Sequence, residues 1–169
     1  MSDTIVIIPT LNEIENIKDI ISAVFSDDKK FHILVVDDNS QDGTPEMVEE
    51  LMQEFPERLF LEKRKGKKGL GSAYIHGFKW ALKRSYDYII EMDADFSHNP
   101  KDLIKLYNAC VQDGAKLSVG SRYVNNNVNV INCTYLDAKY DSSNLFIFQL
   151  ITFTLLLTYL DPTDNLAPS

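Results

Sequence analysis

Tyr88-Ile89-Ile90-Glu91-Met92-Asp93-Ala94-Asp95 is the stretch on which the fold turns. Its first part is an apolar run that reads as a buried strand, and its end carries two carboxylates two residues apart. Residues i and i+2 of an extended segment point the same way, so a strand ending here aims both carboxylates into one crevice. Like charges so close repel unless a cation neutralises them. A hard divalent ion, Mg²⁺ or Mn²⁺, suits oxygen ligands and in turn carries a diphosphate. The same triplet also occurs on solvated loops, so its weight depends on its surroundings.

Outward from this stretch, strand and helix signals alternate. Thr4 to Pro9 is a β-branched run stopped by proline. Asn12 is placed to cap a helix whose apolar positions Ile14, Ile17, Ile20, Ile21 and Val24 fall at helical spacing. Phe31 to Val36 is a second strand, running into the turn cluster Asp37-Asp38-Asn39-Ser40-Gln41-Asp42-Gly43. Thr44 caps the next helix, with Pro45 at its first position. Arg58 to Glu62 is a shorter strand, followed by a basic, glycine-bearing loop from Lys63 to Gly71 and a helix from Ser72 to Arg84. Asn99-Pro100 opens a helix with Leu103, Ile104, Leu106 and Tyr107 on its apolar face, and Ala115 to Val119 is a fifth strand ending at Gly120-Ser121-Arg122. This alternation implies an α/β domain, a mostly parallel sheet with helices on both faces. In such sheets ligands bind outside the carboxyl ends of the strands. Pro9 to Glu13, Asp37-Asp38, Asp93-Ala94-Asp95 and Arg122 all fall there.

At 169 residues the chain suits one domain with a single core. A formal net charge of −8 argues against non-specific nucleic-acid binding, which relies on Lys and Arg meeting phosphates. Only two cysteines occur, Cys110 and Cys133, with no zinc spacing, so a disulfide scaffold is not expected and a reducing, cytoplasmic compartment is. The strand pattern begins at Ile5-Val6-Ile7-Ile8 with no basic segment before it, so no signal peptide is expected. After Arg122 the character changes. Residues 124–144 are rich in Asn, Asp and Ser without periodicity, and residues 145–160 form a strongly apolar run. As a helix, at ~1.5 Å per residue, that run spans roughly 24 Å, short of a ~30 Å hydrocarbon core. It reads as a core or interface helix, with a membrane-associated hairpin or anchor as the alternative. The tail from Asp161 is expected to fray.

Four segments together carry a resemblance: Ile8-Pro9-Thr10-Leu11-Asn12-Glu13; Val35 to Thr44; Lys65-Gly66-Lys67-Lys68-Gly69-Leu70-Gly71-Ser72-Ala73-Tyr74; and Met92 to Pro100. In this order they resemble family 2 glycosyltransferases of the GT-A (Rossmann-like) fold, in particular the polyprenol (dolichol) phosphate mannosyltransferases. The resemblance covers roughly residues 4–124. It implies a nucleotide-sugar-binding domain over 1–124 and an atypical C-terminal segment over 125–169. It further implies metal-dependent, inverting transfer of a sugar from a nucleotide-sugar donor (GDP-mannose, or a UDP-sugar in other members) to a polyprenyl or dolichyl phosphate acceptor at the cytosolic membrane face. Pro9, Leu11, Glu13, Val36 and Asp38 would line the nucleoside pocket, with Asp38 bonding base or ribose. Leu11 stands where the family usually has tyrosine. Asp93 and Asp95 would hold Mg²⁺ or Mn²⁺ and the diphosphate, with Ala94 adding a backbone contact and Ser97 close to the metal. Arg122 matches an arginine that contacts the donor, so Asp93, Asp95 and Arg122 are the expected catalytic residues. The family's later region, with further basic residues for donor and acceptor phosphates, has no counterpart in residues 129–169. A nucleotide-sugar-binding remnant, held together as a homo-oligomer through the apolar run, is therefore a third reading.

Each of these residues also has a plainer explanation. Asp37 and Asp38 can end a strand in an Asx turn, Asp37 more so, and Glu13 can be a first-turn acid favoured by the helix dipole. The five basic residues between Lys63 and Lys68 suit either a solvated loop or attraction to lipid phosphate or an anionic membrane surface. His98 beside the carboxylates is a helix-entry or supporting group rather than a ligand of a hard ion. His32, His76 and Trp80 read as structural.

Overall fold

The computed structural model describes residues 3–26, 31–66, 68–112, 117–121, 129–132 and 146–149. Its strands are β1 (Thr4–Thr10), β2 (His32–Asp37), β3 (Leu59–Lys63), β4 (Tyr88–Glu91), β5 (Leu117–Ser121), β6 (Asn129–Asn132) and β7 (Phe146–Gln149). The helices are α1 (Ile17–Phe25), α2 (Thr44–Glu54), α3 (Leu70–Leu82) and α4 (Leu103–Val111), the last entered through a 3-10 turn at Pro100–Asp102. The strands form one sheet in the order β3-β2-β1-β4-β7-β5-β6, parallel except for β6, which runs antiparallel to β5. The expected α/β architecture is present, and the order reverses direction at β1 and β4.

Alternation along the strands separates two cores. Val6, Ile8, Ile33, Val35 and Ile90 face one side and pack with α1, α2 and α4; Ile5, Ile7, Leu34, Val36 and Ile89 face the other and pack with α3. Strands buried on both faces read as continuous apolar runs, the pattern of parallel sheets. Gly77 lets α3 lie close to the sheet, since a Cβ there would stand 2.7 Å from Ile7 Cγ2. Ile7 is fully buried and has little room to retreat. Overpacking costs about 1–3 kcal/mol and the better helix propensity of alanine returns up to about 1. Gly77→Ala is therefore expected to lose about 1 kcal/mol, read as a lower urea midpoint at unchanged slope.

Several boundaries differ from the sequence reading for identifiable reasons. Pro9 does not stop β1, which continues to Thr10 with Pro9 opposite Val36. Ile7 C=O accepts from Met92 N–H toward β4, while Thr10 C=O accepts from Asp38 N–H toward β2. By alternation the nitrogen of Pro9 faces the β4 side, where pairing ends at Ile7–Glu91, so no ladder bond is lost. Asn12 does not cap α1; it has φ 60° and exchanges bonds with the β2–α2 loop, as described below. Thr44 is the first residue of α2, and the Asp42 carboxylate accepts its N–H. Asn99 does open the next helical segment, its side chain accepting from Lys101 N–H.

The largest correction concerns the C-terminal apolar run. Phe146–Gln149 is a strand, not part of a helix, and β7 inserts between β4 and β5. Tyr88, Ile89 and Ile90 pair with Phe146, Ile147 and Phe148. β4 carries a polar backbone edge that a helix would leave unpaired, whereas an aromatic and β-branched tetrapeptide satisfies it. Likewise Asn129–Asn132, read as irregular, pairs with β5. The rest of the apolar run and the tail lie outside the described residues. Among the described residues no helix is long and apolar enough to cross a membrane.

Candidate functional site

The carboxyl ends of β1, β2 and β4 open into a cavity of about 360 Å³ lined by Pro9, Thr10, Leu11, Glu13, Asp38, Gly69, Leu70, Ala73, Asp93, Ala94 and Asp95. Most residues singled out from sequence meet here, although they come from three separate segments. Val36 does not line the cavity; it is fully buried beneath it, in the core shared with Ala73 and Tyr74. Arg122 lies outside the described residues.

The rim is built by side chains that tie loops together. Asn12 N–H donates to Ser40 Oγ, Gln41 N–H to Asn12 Oδ1, Glu13 N–H to Thr44 Oγ1 and Ile14 N–H to Asp42 Oδ2, each at 2.9–3.0 Å. These bonds fix the loop after β1 against the loop after β2. The Glu13 carboxylate accepts from Asn16 Nδ2 at 3.2 Å, so it also braces the entry to α1. Asp37 is buried and accepts from the Thr10 hydroxyl and from Ser40 through both N–H and Oγ. It holds the turn, as its plainer reading had it.

Asp38 is engaged more heavily than its sequence motif suggests. Its Oδ1 meets Nε and Nη2 of Arg64, and its Oδ2 accepts from the backbone N–H groups of Lys68 and Gly69 at 3.0 Å. A carboxylate offers about four acceptor positions, and all are taken within the protein. Arg64, buried at 8% exposure, also donates to Ser72 Oγ and to Gly69 C=O. Asp38 thus latches the basic loop to the sheet and to the start of α3. Gly69 has φ 88° and ψ 159°, a conformation open to glycine and strained for other residues, and this turns its N–H toward Asp38. Arg64 and Gly69 were not singled out from sequence; a buried arginine has no local signature, because its partner is remote in the chain.

Asp93 and Asp95, the carboxylates expected from sequence to hold a cation, lie beyond the strand. β4 ends at Glu91, and Ala94-Asp95 form a turn, with Phe96 at φ 58°. Contrary to the sequence reading, the chain is not extended through Asp95: Ser97 N–H donates to Asp95 Oδ1 at 2.9 Å, closing an Asx turn. Both carboxylates still face the cavity. The Ser97 side chain, and then its N–H, hold the Asp95 carboxyl below its ordinary range. Ser97 therefore acts on Asp95 directly. Asp93 Oδ1 accepts from the Tyr74 hydroxyl at 2.8 Å, and Asp93 N–H donates to His98 Nδ1 at 3.3 Å. His98 Nδ1 also stands 3.9 Å from Asp93 Oδ2, too far for a hydrogen bond; the amide contact makes Nδ1 the acceptor. Burial, then the Asp93 charge, push the Tyr74 phenol well above its usual value, so it stays a donor. Glu91, one residue before Met92, is 3% exposed, and its Oε1 has no hydrogen-bond partner. Burial, then the Asp93 charge, push its carboxyl up to about 8.

Among the described residues no group of three or more His, Cys, Asp or Glu side chains forms a closed metal cage. Two carboxylates at an open cavity suit Mg²⁺ or Mn²⁺, which keep waters and take one or two protein carboxylates together with substrate phosphates. A larger cavity of about 500 Å³ lies beside the β2–α2 loop, but three of its four charged lining residues are committed internally, Asp37 to Thr10 and Ser40, Lys63 to Glu49 and Arg64 to Asp38, which leaves Glu46. The remaining candidates are structural. His32 bonds the Tyr86 hydroxyl, and Glu62 is held by His76 and by Trp80 Nε1.

With this geometry in place, the comparisons decide the family. The model for glycosyl transferase family 2 matches residues 5–157. The chain belongs to that family. Its family 2 relatives include the polyprenol monophosphomannose synthase of Mycolicibacterium smegmatis, 50% identical over 121 residues, which are 72% of this chain and 45% of that protein. The undecaprenyl-phosphate mannosyltransferase of Micrococcus luteus is 44% identical over 118 residues, 70% of this chain and 47% of that protein. The chain spans less than half the length of either relative. Among solved structures, S. aureus TarS 1-349 in complex with UDP superposes with a TM-score of 0.58 at 22% identity over 71% of this chain and 35% of that one. That likeness supports the GT-A glycosyltransferase fold.

Proposed function

We propose that this family 2 chain carries the nucleotide-sugar half of a mannosyltransferase acting on a polyprenyl phosphate. The observation that carries the reading is the Asp93–Asp95 pair in the same cavity as Pro9, Leu11, Glu13 and the latched Asp38 loop. The chain's 50% identity to a polyprenol monophosphomannose synthase points to the substrate class. Residues 1–124 form the donor-binding domain in this reading. Pro9, Leu11 and Glu13 take the nucleoside of GDP-mannose, and Asp38 shapes its pocket through the basic loop. Asp93 and Asp95 hold Mg²⁺ or Mn²⁺ against the diphosphate, with Ala94 contributing its backbone and Arg122 a donor contact. When bound, the cation neutralises charge that develops on the leaving diphosphate. A phosphate monoester acceptor is already anionic near neutral pH, its second pKa being about 6, so no strong general base is needed. Attack by its oxygen opposite the leaving group inverts the anomeric carbon. Lys65 and Lys68 are exposed, on the loop that leads to Leu70, a 50% exposed residue of the cavity lining. They suit an anionic lipid headgroup at a membrane surface.

Calorimetric titration of GDP-mannose and of UDP-glucose, each with and without Mn²⁺, tests the donor. Mn²⁺-dependent binding of GDP-mannose is expected, weakened at least tenfold in Asp95→Ala; equal affinity in that variant would sink the site assignment. Preference for UDP-glucose would move the chain to another branch of the family. Transfer to a short polyprenyl phosphate separates an enzyme from a binding remnant.

A further inference from the structure

We propose that Tyr74 and His98 are positioning residues that grip Asp93 from two sides and so preset which of its oxygens meets the cation. The inference rests on reading Asp93 and Asp95 as the cation site and goes beyond it, because neither Tyr74 nor His98 needs to touch metal or substrate. Tyr74 sits on the first turns of α3, nineteen positions before Asp93 in the chain, and its ring is buried against Phe78 with 7% exposure. Its hydroxyl fills Oδ1 of Asp93 at 2.8 Å. His98, 5% exposed, accepts the Asp93 N–H at 3.3 Å and so fixes the backbone from which that carboxylate hangs. With Tyr74 taking one of the two acceptor positions of Oδ1 and the main chain held, Oδ2 is the oxygen better placed to meet a divalent ion. The turn needs such support. β4 has ended at Glu91, Phe96 carries a left-handed φ, and Asp95 has its own brace in Ser97. Asp93 is therefore oriented by the helix and by the far end of its loop rather than by the sheet. Groups that orient a metal-binding side chain typically change metal affinity by about 10–100-fold when removed.

The test measures Mn²⁺ affinity directly, by the electron paramagnetic resonance signal of free Mn²⁺, on the full chain with no sugar acceptor present. Tyr74→Phe keeps the buried ring and removes only the hydroxyl; it is expected to bind Mn²⁺ about tenfold more weakly, with GDP affinity in EDTA unchanged. His98→Ala should weaken Mn²⁺ comparably, and His98→Asn, whose side-chain oxygen can still accept the Asp93 N–H, should recover most of the loss. Asp95→Ala separates loss of the cation site from loss of its positioning. If Asp95→Ala abolishes Mn²⁺ binding while Tyr74→Phe and His98→Ala leave it intact, the positioning role is wrong and the site stands. Should Asp95→Ala bind Mn²⁺ like the wild type, the site itself is wrong and the positioning role falls with it. If Tyr74→Phe does not fold, the contrast between His98→Ala and His98→Asn decides the matter.

Discussion

The Glu91 contribution to stability is expected to fall by about 4 kcal/mol between pH 5 and pH 8, read as the difference between wild type and Glu91→Gln in urea melts with EDTA present. The sign follows from where the proton sits. The Glu91 carboxyl titrates at about 8 in the folded protein, against an ordinary value of 4.5. Between those values the folded state holds a proton that the unfolded state has lost, so stability declines as pH rises, by ~1.4 kcal/mol per unit. The contribution is fully present below pH 4.5 and gone above pH 8. The cause is geometric: Glu91 is opposite Ile7 in the sheet, and ionising it sets a charge beside Asp93 in a nearly dry setting. Glu91→Gln keeps the shape without a titrating proton, so its stability should lack this slope. Parallel pH profiles for the two proteins would refute the assignment.

Arg64→Ala is expected to cost about 3 kcal/mol, because it leaves the buried Asp38 carboxylate without its ion partner. For a chain of this size that corresponds to a fall of about 6–12 °C in Tm. The backbone N–H groups of Lys68 and Gly69 still meet Oδ2, which keeps the loss at the lower end of the range for broken buried pairs. Asp38→Ala combined with Arg64→Ala should lose less than the sum of the single changes, since neither charge is then stranded. Additive losses with an unchanged basic loop would mean that the pair does not hold the loop.

Much of this arrangement was legible in the chain. Continuous apolar runs such as Ile5-Val6-Ile7-Ile8 gave strands buried on both faces, and turn chemistry after each strand marked the rim. Asp93, Asp95, Asp38, Leu11 and Glu13 reach one cavity because they follow strands and parallel sheets gather strand ends, while Pro9 reaches it from within β1. Phe146–Gln149 was misread because a short apolar run suits helix or strand equally. What settles it is the unpaired edge of β4, more than fifty residues away. Tyr74 and Arg64 were passed over for a related reason: a tyrosine on an apolar helix face and an arginine in a basic loop look ordinary until their carboxylate partners are seen.

Periodicity, turn residues and motif order are local properties of the chain, so the alternating elements from Thr4 to Ser121, the carboxyl-end rim and the family can be read from sequence. What those carboxylates do at rest follows from packing between distant segments. The packed sheet closes Asp38 on Arg64, sets Asp93 between Tyr74 and His98, and buries Glu91 with its Oε1 unbonded. Hydrogen-bond saturation and desolvation depend on distances between residues far apart in the chain, and these exist only once the sheet has formed.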